Sequence, residues 1–212
     1  MRELLRYPTR GEHAEEALLV GWICLFAHSQ FLPVLPLVPA IGYLVLILRS
    51  TLDGEATPPA VPWAIVRRGA VGSLLLTGYG LVPVVVGAIT LELAGSATLD
   101  PEAGDSLFFL AGSTVTLFVL LGFLYVIPIA LCGYAREGIG GALPGWRFTR
   151  IAGHGAYFVG WTASLVGLAI GWLLGEAIVS LPVLGPVLVA LWWWYVPLVC
   201  ARRIGLAYAA TW

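Results

Sequence analysis

Apolar residues in this chain come in long unbroken runs, not in the alternation of a half-buried strand. Leu107 to Ala135 and His154 to Ile178 both exceed the ~20 residues a helix needs to cross bilayer hydrocarbon. A membrane β-barrel would show short segments of alternating polarity instead. The pattern predicts an all-α fold, a polytopic α-helical membrane bundle forming a single membrane domain over 1–212. It has about six segments, near 14–31, 37–49, 67–91, 107–135, 154–176 and 186–201.

The first two segments are short. Glu15 to Arg49 is almost wholly apolar, but Pro33, Pro36 and Pro39 interrupt its centre. As one helix the stretch would be about 50 Å long against a hydrocarbon layer of ~30 Å. The prolines also remove amide donors and clash with the preceding turn. The stretch divides into Ala14–Phe31 and Leu37–Arg49, a tight or partly re-entrant hairpin; one tilted span followed by an interfacial helix is the alternative.

The connections carry the turn chemistry. Asp53-Gly54, Pro58-Pro59 and Pro62 make 51–62 a surface loop, and Trp63 opens the next segment at headgroup depth. Arg67 and Arg68 can snorkel there, and Pro83 predicts a kink. Residues 92–105 hold Glu92, Asp100, Glu102 and Asp105 with no base, and a helix is expected to start at Asp105 or Ser106. Residues 136–153 hold Arg136, Arg147 and Arg150 among Gly140-Gly141 and Pro144-Gly145, and 179–185 is a turn. The order Gly42-Tyr43, Arg49, Gly54, Trp63, Arg67 is echoed by Gly133-Tyr134, Arg136, Gly141, Trp146, Arg147. Either a duplicated unit or recurring interface chemistry accounts for the echo.

Composition agrees with the pattern. Only 11% of the 212 residues are charged and 59% are apolar, whereas soluble domains carry about a quarter charged residues. The bases are all arginine and form no dense basic face, which argues against a nucleic-acid partner. The charged start, Met1 to Glu16, does not read as a removable signal peptide. Cys24, Cys132 and Cys200 lie singly in apolar runs, so small buried side chains are expected, with no metal site and no disulfide framework.

The stretch from Gly42 through Arg49, Asp53-Gly54-Glu55 and Pro58-Pro59 to Trp63 resembles the signature of the domain of unknown function 4013 family, small archaeal, mainly haloarchaeal, membrane proteins. Tyr7-Pro8 through Gly11, Tyr134-Ala135-Arg136-Glu137-Gly138 and the Arg150 to Trp161 region are also similar to it, and Leu46 stands where the motif often has a base. The resemblance implies a multi-spanning membrane protein and supplies no activity.

Candidate sites are few. His28 and Gln30, beside the proline break, form a candidate intramembrane polar site, or else hydrogen-bond the helix break. Gly167, Gly171 and Gly175 form a small-residue face for helix packing, within the chain or between copies. Arg49, Trp63, Arg67, Arg68, Arg136, Arg147, Arg150, Arg202 and Arg203 are expected interface anchors, as are Glu92 and Glu176 on the opposite side. His154 is expected at an interface and His13 in solvent. No catalytic or metal-binding constellation and no cofactor signature appears. The expected role is a noncatalytic structural, scaffolding or partner subunit; a small-solute or ion transporter is the alternative. The expected partners are membrane lipid and either a second copy or another membrane protein.

Arginine placement predicts a cell-membrane protein with both termini and the loops 50–68 and 136–153 in the cytoplasm and 92–105 outside. Single cysteines labelled in intact cells with an impermeant maleimide should react in 92–105 and be protected in 136–153. The reverse pattern would invert the topology.

Overall fold

The computed structural model describes residues 2–31, 33–96, 104–182 and 184–212. Its elements are α1 (Arg2–Leu5), a 3-10 turn (Tyr7–Thr9), α2 (Ala14–Gln30), α3 (Leu37–Leu52), α4 (Ile65–Ser96), α5 (Gly104–Glu137), α6 (Ile139–Ala142), α7 (Trp146–Ala152), α8 (Gly155–Val179) and α9 (Gly185–Ala209). The fold is all-helical across the described residues. Four helices, in α4, α5, α8 and α9, are long and apolar enough to cross a membrane. The other two expected segments are shorter: α2 has 17 residues and α3 has 16, about 26 and 24 Å of helix against ~30 Å of hydrocarbon.

Proline chemistry sets the α2/α3 break. Pro33 lies in the connection, Pro36 immediately precedes α3, and Pro39 falls in its first turn, where an amide donor has no intrahelical partner to lose. The two helices pack against each other as a hairpin. α4 continues through Pro83 as one helix, and α9 through Pro197. Several bounds differ from expectation. α3 runs on to Leu52, and the 136–153 loop folds into α6 and α7. α4 extends beyond Glu92, and α5 begins at Gly104, so the expected acidic loop is shorter; its Asp100 and Glu102 lie outside the described residues. α9 does not end at Ala201 but continues to Ala209, because Gly205 and Tyr208 are buried one turn and two turns further on.

The chain divides into two compact units, one of Met1–Ser73 and Ile129–Trp212, the other of Leu74–Pro128. In the first, α9 is the common neighbour of α2, α3 and α8. The aromatic run Trp192 to Tyr195 turns about 100° per residue around that helix, so successive rings reach different partners. Trp192 Nε1 donates to Gly171 O on α8 at 2.7 Å, and Trp194 Nε1 donates to Ala17 O on α2 at 2.8 Å. Tyr195 donates its hydroxyl proton to Leu5 O. Trp193 lies against Gly175, and Trp194 fills the notch that Gly21 leaves on α2, with Tyr43 of α3 beside it at 6.1 Å between ring centroids. Each buried indole N–H thus has an acceptor, as an apolar interior demands.

α8 and α9 form an antiparallel pair along a stripe of small residues. Gly160 faces Ala207, Gly167 faces Cys200, Gly171 faces Val196 and Gly175 faces Trp193. Ser164 completes the stripe, its hydroxyl donating to Gly160 O at 2.9 Å and its carbonyl accepting from Cys200 Sγ at 3.5 Å. Two further close approaches involve the glycines of the sequence echo. Gly42 of α3 meets the backbone of Ile65 and Gly69 on α4, and Gly133 of α5 meets that of Gly141 in α6. In the second unit, α4 and α5 run antiparallel: Thr116 and Thr90 share a hydroxyl hydrogen bond at 3.3 Å, Gly112 lies against Thr90, and Tyr79 packs on Phe123.

Outward surfaces of the long helices are apolar, with Leu74 72%, Phe118 68% and Leu173 69% exposed. A water-facing surface does not sustain apolar patches of that extent, whereas lipid does.

Two glycine substitutions separate close packing from helix propensity. Gly21→Ala drives a methyl into the Trp194 ring and should lower stability by about 1–3 kcal/mol. Gly78→Ala meets nothing within 4 Å and should be neutral or stabilising by up to about 1 kcal/mol. Thermal unfolding in detergent checks both; Gly171→Leu, facing Val196, should reduce the yield of folded protein further.

Candidate functional site

His28 and Gln30 sit at the turn end of α2. Gln30 Nε2 donates to Ser29 Oγ at 3.3 Å, and Ser29 Oγ donates to Phe26 O at 2.9 Å, so these polar groups are used locally. His28 Nδ1 is buried without a partner among the described residues. At the other polar positions, His154 caps α8, accepting the Ala156 amide on Nδ1 at 3.3 Å, and Glu176 accepts from Trp172 Nε1 at 2.9 Å. Trp63 is 95% exposed. Cys24, Cys132 and Cys200 are buried free thiols.

The eight arginines expected as interface anchors fall into three groups. Arg202 belongs to a structural knot: its Nη1 donates to Thr51 Oγ1 at 3.0 Å and its guanidinium lies 4.9 Å from the Tyr7 ring centroid. Thr51 in turn packs on Gly205, which has no side chain to displace it. Burial pushes the Tyr7 phenol above its ordinary pKa, with Ser50 and the Arg202 charge pulling the other way. Its hydroxyl lies beside Ser50 without a well-formed hydrogen bond. Arg203 lines an open apolar groove of about 520 Å³ between α8, α9 and the N-terminal Leu4 and Leu5.

The second group is built on Trp212. Arg136 lies 4.1 Å and Arg147 5.6 Å from its ring centroid, and Arg147 pairs with Glu137 at 2.5 Å. Arg150 lines a small crevice beside Trp146 and Trp212. Gly138, at φ +76°, turns the chain between α5 and α6, a conformation open to glycine at little cost.

The third group is a basic pocket of about 190 Å³. Arg49 at the end of α3, Arg67 and Arg68 in the first turns of α4, and Arg136 at the end of α5 all line it, with Val45, Leu46 and Tyr134 completing the wall. The Gly42 to Gly69 approach explains why these ends converge: without side chains between them, the α3 and α4 backbones touch. Sequence reasoning named all four arginines as separate anchors, and the structure brings them into one cavity. It missed Trp212 and the Trp192 to Tyr195 run. Their signal was the density of aromatic residues in the last segment, whose partners are far away in sequence.

A family model described as protein of unknown function, DUF4013, matches residues 25–180. The chain belongs to the DUF4013 family. No curated protein and no solved structure matches it. The part matched to DUF4013 contains every residue of the basic pocket, and stops before α9, which carries Arg202 and Arg203 and leads to Trp212.

The two cation–π contacts on Trp212 in this DUF4013 protein are measurable by a double-mutant cycle. Trp212→Ala should cost about 0.5–1 kcal/mol per guanidinium. Arg136→Gln should cost less in the Trp212→Ala background than alone, by a coupling of similar size. Zero coupling in thermal or denaturant unfolding would place the two groups apart.

Proposed function

We propose that this DUF4013 protein is a multi-pass protein of the cell membrane, with its termini and arginine-bearing loops in the cytoplasm. In this reading it works without catalysis, as a structural, scaffolding or partner subunit. The observation that carries the proposal is how the interior around α9 is filled. Trp194, Tyr43, Ile47 and Leu198 are all fully buried there; the Trp194 indole donates to the Ala17 carbonyl of α2 and the Tyr43 phenol to the Pro59 carbonyl of the loop after α3. Such packing rigidifies a bundle and leaves chemistry to the surface. Its partners in this reading are lipid and either a second copy or another membrane protein, met at the end where Trp63 and Trp146 stand exposed. Nucleic acid is not among them.

A transporter is the second reading, favoured by one specific observation: the unpartnered Nδ1 of His28 at a proline-broken hairpin. Transport sites are built from such interrupted helices. Reconstitution separates the two. Vesicles containing the protein should remain as tight to protons, potassium and small neutral solutes as empty vesicles. A photo-crosslinking amino acid at Trp63 or Trp146 should give one discrete protein adduct in native membranes. Flux that is abolished by His28→Ala would overturn the scaffold reading in favour of transport.

A further inference from the structure

The basic pocket holds more positive charge than its surroundings neutralise. Among the described residues, the one acid paired with any of its four arginines is Asp53, at 3.9 Å from Arg49 Nε. Glu137, next to Arg136 in sequence, is held by Arg147 instead. Arg67 and Arg68 have no ion-pair or hydrogen-bond partner among the described residues. Holding four guanidinium groups around one cavity costs like-charge repulsion and side-chain entropy. An anion bound among them offsets both.

The geometry selects the kind of anion. Guanidinium groups present planar forks of N–H donors that match phosphate and carboxylate oxygens, and several forks from different directions suit a tetrahedral oxyanion. Trp212 covers the face of the Arg136 guanidinium, which leaves the N–H groups in its plane free to donate. Arg67 and Arg68 also lie in the first turns of α4, where the helix end carries partial positive charge. Gly138 borders the pocket with no side chain to fill it, and Val45 and Leu46 supply an apolar wall.

We infer that Arg49, Arg67, Arg68 and Arg136 form a binding site for a phosphate group. Either a lipid phosphodiester headgroup or a soluble phosphate can supply it. This inference goes beyond the scaffold reading and does not rest on it, since a transporter could carry the same site.

The test uses full-length protein, delipidated in dodecyl maltoside, with binding read by thermal shift and by native mass spectrometry. The probes are dioleoylphosphatidylglycerol, dioleoylphosphatidylcholine, and inorganic phosphate against chloride at equal ionic strength. Phosphatidylglycerol or phosphate should stabilise the wild type. Arg67→Gln with Arg68→Gln should weaken apparent affinity by about tenfold or more. Arg67→Lys with Arg68→Lys should recover part of it, because charge returns without the fork. Arg150→Gln, outside the pocket, should bind as wild type. Retention of phosphatidylglycerol against millimolar phosphate assigns a lipid headgroup, and displacement by phosphate without lipid preference assigns a soluble phosphate. Equal binding of phosphatidylcholine and no response to phosphate would overturn the site, as would an equal loss in Arg150→Gln. If the paired glutamine variant does not yield a monodisperse particle, Arg68→Gln alone carries the comparison, and wild-type affinity in that variant would overturn the site.

Discussion

Trp194 seated against Gly21 is the contact on which the first unit depends. Its indole occupies a notch on α2, its Nε1 donates to the Ala17 carbonyl, and its ring borders Tyr43 of α3. One side chain therefore joins three helices. Where no water is available, an indole N–H without an acceptor would carry the full cost of desolvation. Register between α9 and α2 is thereby tied to a single carbonyl as well as to shape. The neighbouring Trp192 does the same toward α8, through Gly171 O. Glycine makes room for two of these rings, since any side chain at Gly21 would occupy the space that Trp194 fills and any at Gly175 the space that Trp193 fills.

With α9 seated, the chain ends near it acquire their positions. The helix continues past Arg202 and Arg203 and delivers Trp212 to Arg136 and Arg147. The Gly42 to Gly69 and Gly133 to Gly141 approaches bring helix ends together that would otherwise stand a side chain apart. The arginines are thus concentrated by backbone packing and not by attraction among themselves. A charge cluster held together against its own repulsion is stabilised by an anion that binds among its guanidinium groups.

Much of the architecture was legible along the chain because hydrophobic run length and proline position act locally. An apolar run of more than 20 residues has few alternatives to a helix, and Pro33 and Pro36 fall at the break between α2 and α3, with Pro39 tolerated in the first turn that follows. The helix ends were less legible. α9 outlasted its expected end at Ala201 because burial of Gly205 against Thr51 and of Tyr208 sustains it, and those contacts span more than 100 residues for Thr51. The candidate site was legible only in its parts. Arg49, Arg67, Arg68 and Arg136 each announced an interface by residue type, because a guanidinium near a membrane edge is a one-residue signal.

The sequence by itself determined that the protein is helical, where its apolar segments lie, and which residues carry its few charges, since each follows from local chemistry and period. Tertiary structure alone decided that Gly171 and Gly175 pack within the chain against α9, that Trp212 stacks on Arg136, and that four separate arginines share one cavity. Those outcomes depend on which helix faces meet. Long helices apolar on every side leave that choice open until glycine notches and indole donors admit one register.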